Sequence, residues 1–203
     1  MTRNARAAVT LAALLTATAA TLIARGAGPT GVPHYLLDPA KSTLEFTFTQ
    51  AGAKNHGHFG RFPVTFDFSA DNLAASHLEV TIEMTSFTTG DQERDETVRG
   101  DELLAVAKYP QAHYSATQFT RTATGFEAAG KLTLRGVTRD VRVPFTFRTA
   151  TENGAAVGYM NGGTTLHRLD FGVGQGDWKA TDQVGNDVEV SFALRLTAAA
   201  AAR

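Results

Sequence analysis

Two histidines separated by one glycine, His56 and His58, come closest to a metal site in this chain. On an extended strand, residues two apart project from the same face, so both imidazoles could share one ion. Two imidazoles are half a site, however, and the chain has no cysteine to complete it. His34, His77, His113 and His167 stand alone, so no metal is expected and the pair reads as hydrogen-bonded loop histidines. The run Asp91-Gln92-Glu93-Arg94-Asp95-Glu96 offers paired carboxylates for acid–base work, yet no nucleophile or oxyanion stabiliser stands beside it. It reads as a solvated face. Gly172, Gly174 and Gly176 have the look of a phosphate cradle but lack the βαβ context of a dinucleotide fingerprint, and read as a loop leading to Trp178. No catalytic residue and no cofactor is expected.

The elements that would position these groups are strands. Leu44, Phe46 and Phe48 share one parity against Thr43, Glu45 and Thr47, and Leu78, Val80, Ile82 and Met84 alternate with Glu79, Thr81 and Glu83. The pattern returns in Phe62 to Phe68, Val141 to Phe147 and Val188 to Leu196, and more weakly in Gln111–Phe119, Phe126–Leu134 and Gly158–Leu169. Such alternation marks antiparallel strands with one dry and one wet face. About eight strands follow, punctuated by turn formers at Asp71-Asn72, Thr124-Gly125, Asn153-Gly154 and Gly185-Asn186-Asp187. The interruption is Thr89 to Leu104, where acidic residues after Thr89-Gly90 suit the start of a short helix.

Parity alone leaves two architectures open, a two-sheet sandwich and a barrel. Six phenylalanines fall on the dry face of three strands: Phe46, Phe48, Phe66, Phe68, Phe145 and Phe147. In a sandwich they fill the core; in a barrel of about eight strands they can line a cavity holding one ligand. With Leu44, Val80, Ile82, Met84, Trp178 and Phe192 they form the expected apolar lining. Arg61, Arg99, Arg168 and Lys179 lie near strand ends or loops and are candidates to meet a polar head group, arginine being matched to phosphate oxygens.

Residues 1–26 read as a leader: Arg3 and Arg6 precede an uncharged stretch from Ala7 to Ala24, with small residues at Ala17 and Ala19 suited to signal peptidase. The alternative is a short, weak membrane anchor. Removing those residues, with three arginines and no acid, takes the net charge from −1 to −4, a poor match to nucleic acid or anionic membrane. The expected division is a leader over 1–26, a linker over 27–33, one barrel over 34–197 and a disordered alanine-rich tail over 198–203.

The residues also resemble a known family. Tyr35-Leu36-Leu37-Asp38-Pro39-Ala40-Lys41-Ser42-Thr43-Leu44-Glu45-Phe46, then His58-Phe59-Gly60-Arg61-Phe62, Ser86-Phe87-Thr88-Thr89-Gly90 with Arg94-Asp95, and Tyr109-Pro110 are similar to the YceI-like periplasmic polyisoprenoid-binding proteins. The match continues in Gly130-Lys131-Leu132-Thr133-Leu134-Arg135-Gly136-Val137-Thr138, in His167-Arg168-Leu169-Asp170-Phe171-Gly172 and in Gly174-Gln175-Gly176-Asp177-Trp178, covering about residues 35 to 196 in order. A departure falls at Gly100 to Lys108, where Gly100-Asp101-Glu102-Leu103-Leu104-Ala105 replaces an Asp-x-Phe-Phe-like segment.

The resemblance implies an all-β fold, an extended lipocalin-like antiparallel barrel with a short helical insertion, whose apolar tunnel holds an isoprenoid chain. In that frame Arg94 and Asp95 form an ion pair tying the insertion to the rim. The implied role is an exported, non-enzymatic carrier or store of a polyprenyl lipid or isoprenoid quinone, periplasmic or secreted, with a link to membrane respiratory cytochromes. Two other classes stay in view. One is an enzyme acting on a lipidic substrate through His56, His58 or Asp95, and the other an envelope interaction protein whose barrel is filled by its own side chains.

Overall fold

A computed structural model describes residues 31–199; the expected leader and most of the alanine-rich tail lie outside the described residues. The strands are β1 (His34–Leu37), β2 (Thr43–Gln50), β3 (Ala53–Phe59), β4 (Val64–Asp67), β5 (His77–Glu83) and β6 (Phe87–Thr88). After helix α1 (Gln92–Arg99) come β7 (Gln111–Arg121), β8 (Phe126–Leu134), β9 (Val137–Glu152), β10 (Ala155–His167) and β11 (Val184–Ala198). All pair antiparallel, and the ring β1-β4-β5-β7-β8-β9-β10-β11 closes where β11 returns to β1. Closure removes the unpaired strand edges that an open sheet would expose. The choice between sandwich and barrel is settled for a closed eight-strand barrel.

The length of β11 makes the closure possible. Its last residues pair with β1, Tyr35 facing Ala198 and Leu37 facing Leu196, while its first half pairs with β2 from Gln50 to Thr43. A 3-10 turn at Pro39–Lys41 separates β1 from β2. β2 then carries β3, and β3 carries β6, so the wall at the mouth differs from the wall at the base. The segment Gly185-Asn186-Asp187, which the sequence marks as a turn, lies instead within β11, where the register with β2 shifts between Val184 and Val188. A Gly-Asn pair serves a bulge as readily as a turn, since both need relaxed backbone geometry. β11 continues through Ala198, and the Ala199 N–H donates to the His34 carbonyl.

The base of the barrel is solid. Phe66 and Phe68 stack at 4.8 Å between ring centroids, and edge-on contacts join Phe68 to Phe126 at 5.0 Å, Phe68 to Phe147 at 5.0 Å and Tyr35 to Phe147 at 5.4 Å. Phe119 and Phe145 complete the cluster. Mixed stacked and edge-to-face contacts are the arrangements that ring quadrupoles favour. An interior glycine of β10 makes room for the rings: a Cβ on Gly158 would stand 2.7 Å from the Phe147 ring. Outside the base, the Arg121 guanidinium lies 5.0 Å from the centre of the Phe126 ring.

Over the mouth sits α1. Asp91 caps it, accepting a hydrogen bond from the Arg94 N–H at 3.0 Å. The helix is pinned through Asp95, 5 % exposed, whose Oδ1 accepts both the Thr89 N–H and the Thr89 hydroxyl at 2.7 Å. Arg94 and Asp95 therefore do not pair with each other: Arg94 lies 3.8 Å from Asp91, and Asp95 lies 4.0 Å from Arg99. Successive helix residues point in different directions, which prevents the pairing the resemblance implied.

Two outcomes test this picture. Phe68→Ala should cost about 3–5 kcal/mol in denaturant titration, as for a large ring removed from a packed core, whereas Phe48→Ala should cost distinctly less because its ring borders open space. Burial alone would raise the Asp95 carboxyl, but hydrogen bonds from Thr88 and Thr89 and the Arg99 charge outweigh it and hold the pKa below the ordinary value. A carboxyl depressed in the folded state stabilises above its unfolded pKa and loses that contribution as pH falls through the folded one. The Tm difference between the parent and Asp95→Asn should therefore be full at neutral pH and shrink as pH falls below about 4.

Candidate functional site: the apolar cavity and its mouth

Above the aromatic base the barrel interior is open, with a cavity of about 530 Å³. Its walls are the inward residues of the strands, among them Val80 and Ile82 of β5, Val141 and Val143 of β9, and Val188 and Val190 of β11. Leu44, Phe46 and Phe48 of β2 continue the lining, as do Met84 and Phe192. Met160 of β10, 1 % exposed, lines the cavity and is paired in register with Phe147 of the base, so it stands where open space meets packed rings.

The lining predicted from sequence is thus divided. Leu44, Phe46, Phe48, Val80, Ile82, Met84, Trp178 and Phe192 border the cavity; Phe66, Phe68, Phe145 and Phe147 do not. The reason is position along the barrel axis: those four rings fill one another's space at the base, and a tunnel cannot run through them. The cavity therefore has a floor, and the expected tunnel is a blind pocket.

The departing segment Gly100 to Lys108 finds its role at the mouth. Leu103 and Leu104 are buried and line the cavity together with Val98 and Thr97 of α1. Sequence reasoning did not select them, because they lie outside any alternating strand. Phe171, Val173 and Trp178 also line the cavity. The glycine run between them packs on the departing segment: the Gly174 and Gln175 N–H groups both donate to the Glu102 carbonyl, at 3.0 and 2.7 Å.

Motif glycines acquire physical reasons here. A Cβ on Gly130 would stand 2.8 Å from the ring of Tyr114, which lines the cavity and donates its hydroxyl to the Ala128 carbonyl at 3.0 Å and the Val141 carbonyl at 3.2 Å. Burial, helped by the nearby Glu127 charge, pushes the Tyr114 phenol well above its ordinary pKa, so it stays a donor. Arg135 and Gly136 both take positive φ, +51° and +73°, as the tight hairpin between β8 and β9 demands.

None of the four predicted head-group cations presents a free fork to the cavity. Arg61 is exposed, donates toward Thr85 at 3.4 Å and does not line it. Arg99 donates to the Phe87 carbonyl at 2.5 Å, and Lys179 is exposed outside the lining. Arg168 does line the cavity but is 5 % exposed, donating to the carbonyls of Gly185, Val173, Ala180 and Val184 at 2.8–3.1 Å. It is a clamp for the rim loops. Burial pushes its pKa down, and the ring of carbonyl dipoles keeps the charge tolerable. The cation that sequence reasoning left out, Arg94, lines the mouth with its side chain 28 % exposed.

The remaining candidate groups sit elsewhere. His56 and His58 lie not in a loop but within β3, exposed on its outer face and paired with Thr47 and Glu45 of β2, and His56 Nδ1 lies 2.9 Å from the Thr47 hydroxyl. Neither lines the apolar cavity, nor does Asp95. Among the described residues no group of three or more His, Asp or Glu side chains is placed to hold a metal ion.

The chain matches the YceI-like domain model over residues 35–196 and belongs to that family. A UPF0312 protein of Pectobacterium atrosepticum is 34 % identical over 133 residues, covering 64 % of this chain and 69 % of the relative. One from Yersinia enterocolitica is 40 % identical over 86 residues, spanning 42 % of this chain and 45 % of its own length. Among solved structures, BcnA of Burkholderia cenocepacia superposes with a TM-score of 0.71 at 31 % identity, covering 78 % of this chain and 98 % of BcnA. A polyisoprenoid binding domain from Saccharophagus degradans, implicated in plant cell wall breakdown, shares the fold at TM-score 0.59 and 16 % identity, over 81 % of this chain and 98 % of that domain.

Gly57 of β3 lies directly behind the Phe46 ring, which lines the cavity. A Cβ there would stand 2.2 Å from the Phe46 ring and 2.6 Å from the Thr88 carbonyl. Gly57→Ala should push the Phe46 ring into the cavity and lower the uptake of an apolar probe, measured by titration of the folded variant against the parent. Met160→Ala tests the floor: it should lengthen the pocket and shift preference toward longer prenyl chains, read by competition between chains of two lengths.

Proposed function

We propose that this protein is an exported, non-enzymatic binding protein that holds one isoprenoid lipid, a polyprenyl lipid or an isoprenoid quinone, in its blind apolar cavity for transport or storage. The observation that carries the reading is the cavity itself: predominantly apolar in its lining, floored by the aromatic base, and charged only where Asp91, Glu93, Arg94 and Arg168 reach it. A polyprenyl tail has no hydrogen-bonding groups and asks only for dry surface of matching width. Each buried methylene contributes about 0.8 kcal/mol, from which the loss of rotational and chain freedom subtracts several kcal/mol. A long tail is therefore what this pocket rewards.

Support also comes from the family and from the Saccharophagus domain described as polyisoprenoid binding. A carrier working in the periplasm or outside the cell, the setting that the leader expected over residues 1–26 would give it, must release its cargo. Non-directional apolar contact allows release more readily than buried ion pairs would. The link to membrane respiratory cytochromes stays a proposal of the same standing, resting on the resemblance alone.

Organic extraction of protein purified from a bacterial envelope, followed by mass spectrometry, tests the reading. An unmodified prenyl lipid near one per chain is expected. Ile82→Trp, which places an indole in mid-cavity, should abolish recovery while the thermal transition of the barrel persists. A parent that yields no lipid, or a variant that retains it fully, contradicts the proposal; a recovered lipid that has been chemically altered points to an enzyme.

A further inference from the structure

The few charges of the cavity gather where α1 and the rim loops meet it. Four charged residues line the cavity: Asp91, Glu93, Arg94 and Arg168. Arg168 is already surrounded by backbone carbonyls and has little left to offer a ligand. Arg94 lies 3.8 Å from the Asp91 carboxylate. At the helix N-terminus, where exposed N–H groups would otherwise welcome a phosphate, Asp91 holds the Arg94 N–H itself and Glu93 adds a second carboxylate in the first turn. The mouth therefore presents two carboxylates against one partnered guanidinium and one internally engaged one.

We infer that, given the lipid-binding reading above, this mouth selects an uncharged head group with hydrogen-bonding oxygen, such as an alcohol, phenol or quinone, and rejects a diphosphate, with Asp91 and Glu93 as the discriminating residues. A neutral oxygen can accept from Arg94 or, as a hydroxyl, donate to either carboxylate. A diphosphate meets those carboxylates with several like charges, and the one cation in reach, Arg94, already stands 3.8 Å from the Asp91 carboxylate and cannot offset them all. Rejection by like charge is a recognised source of specificity, because it weakens the wrong ligand without needing tighter contact to the right one.

The test titrates the full chain with one prenyl chain carried either as the free alcohol or as the diphosphate. The fluorescence of Trp178, the single tryptophan and part of the cavity lining, supplies the readout. The alcohol is expected to bind about tenfold or more tightly than the diphosphate at low ionic strength, with the gap narrowing as salt screens the mouth. The double variant Asp91→Asn, Glu93→Gln retains a capping side chain and should narrow the same ratio by raising diphosphate affinity. A diphosphate that binds as well as the alcohol, or a ratio unmoved by the double variant, overturns the inference and leaves the lipid-binding reading standing. Failure of both ligands to bind overturns that reading and this inference with it.

Discussion

A barrel of eight strands encloses enough volume either to be packed solid or to hold a ligand, and this chain does both at different heights. The aromatic base is the constraint on which the rest depends. An unfilled apolar space forfeits dispersion contacts on every wall that faces it, so an open upper half requires compensation elsewhere. Phe66 is fully buried and Phe68 is 1 % exposed, at the centre of a cluster of seven aromatic rings joined by centroid separations of 4.8 to 6.4 Å. That cluster also ties β1, the shortest ring strand besides β4, into the closure through Tyr35.

The mouth follows a different physical rule. At the base, apolar rings pack against one another; at the rim, loops of irregular backbone have carbonyls to satisfy. Arg168 answers that need by gathering four carbonyls from three separate stretches of chain, and the Glu102 carbonyl meets the complementary one by accepting the Gly174 and Gln175 N–H groups. The short helix α1 is fixed by its own cap and by one buried carboxylate. The rim is therefore held by polar contacts that leave the cavity walls apolar.

Strand parity made the barrel's inner and outer faces legible, because a period of two survives any detail of loop geometry. It could not say where along the axis a residue would lie: Phe46 and Phe66 have identical patterns, yet one borders the cavity and the other seals it. Height depends on register and shear, which arise from pairings such as Leu37 with Leu196 and Met160 with Phe147, far apart in sequence or set by a long hairpin. The helix at Gln92–Arg99 was legible through its acidic start. Leu103 and Leu104 carried no signal beyond being apolar in a loop, and Arg168 declared its charge but not the carbonyls that absorb it. Gly185-Asn186 has the composition of a turn and forms a bulge, since tertiary pairing with β2 keeps both flanks in one strand.

The central claim is that a lipid tail occupies the upper half of the barrel and stops at the aromatic base. A crystal structure of the lipid-loaded protein tests it most directly. The account predicts one continuous chain of density running inward from beside Arg94 and Thr97 and ending at Met160, with the rings of Phe66, Phe68, Phe145 and Phe147 in mutual contact beneath it. Density passing between those rings to the far end of the barrel, or lying on the outer surface with the cavity empty, would contradict it.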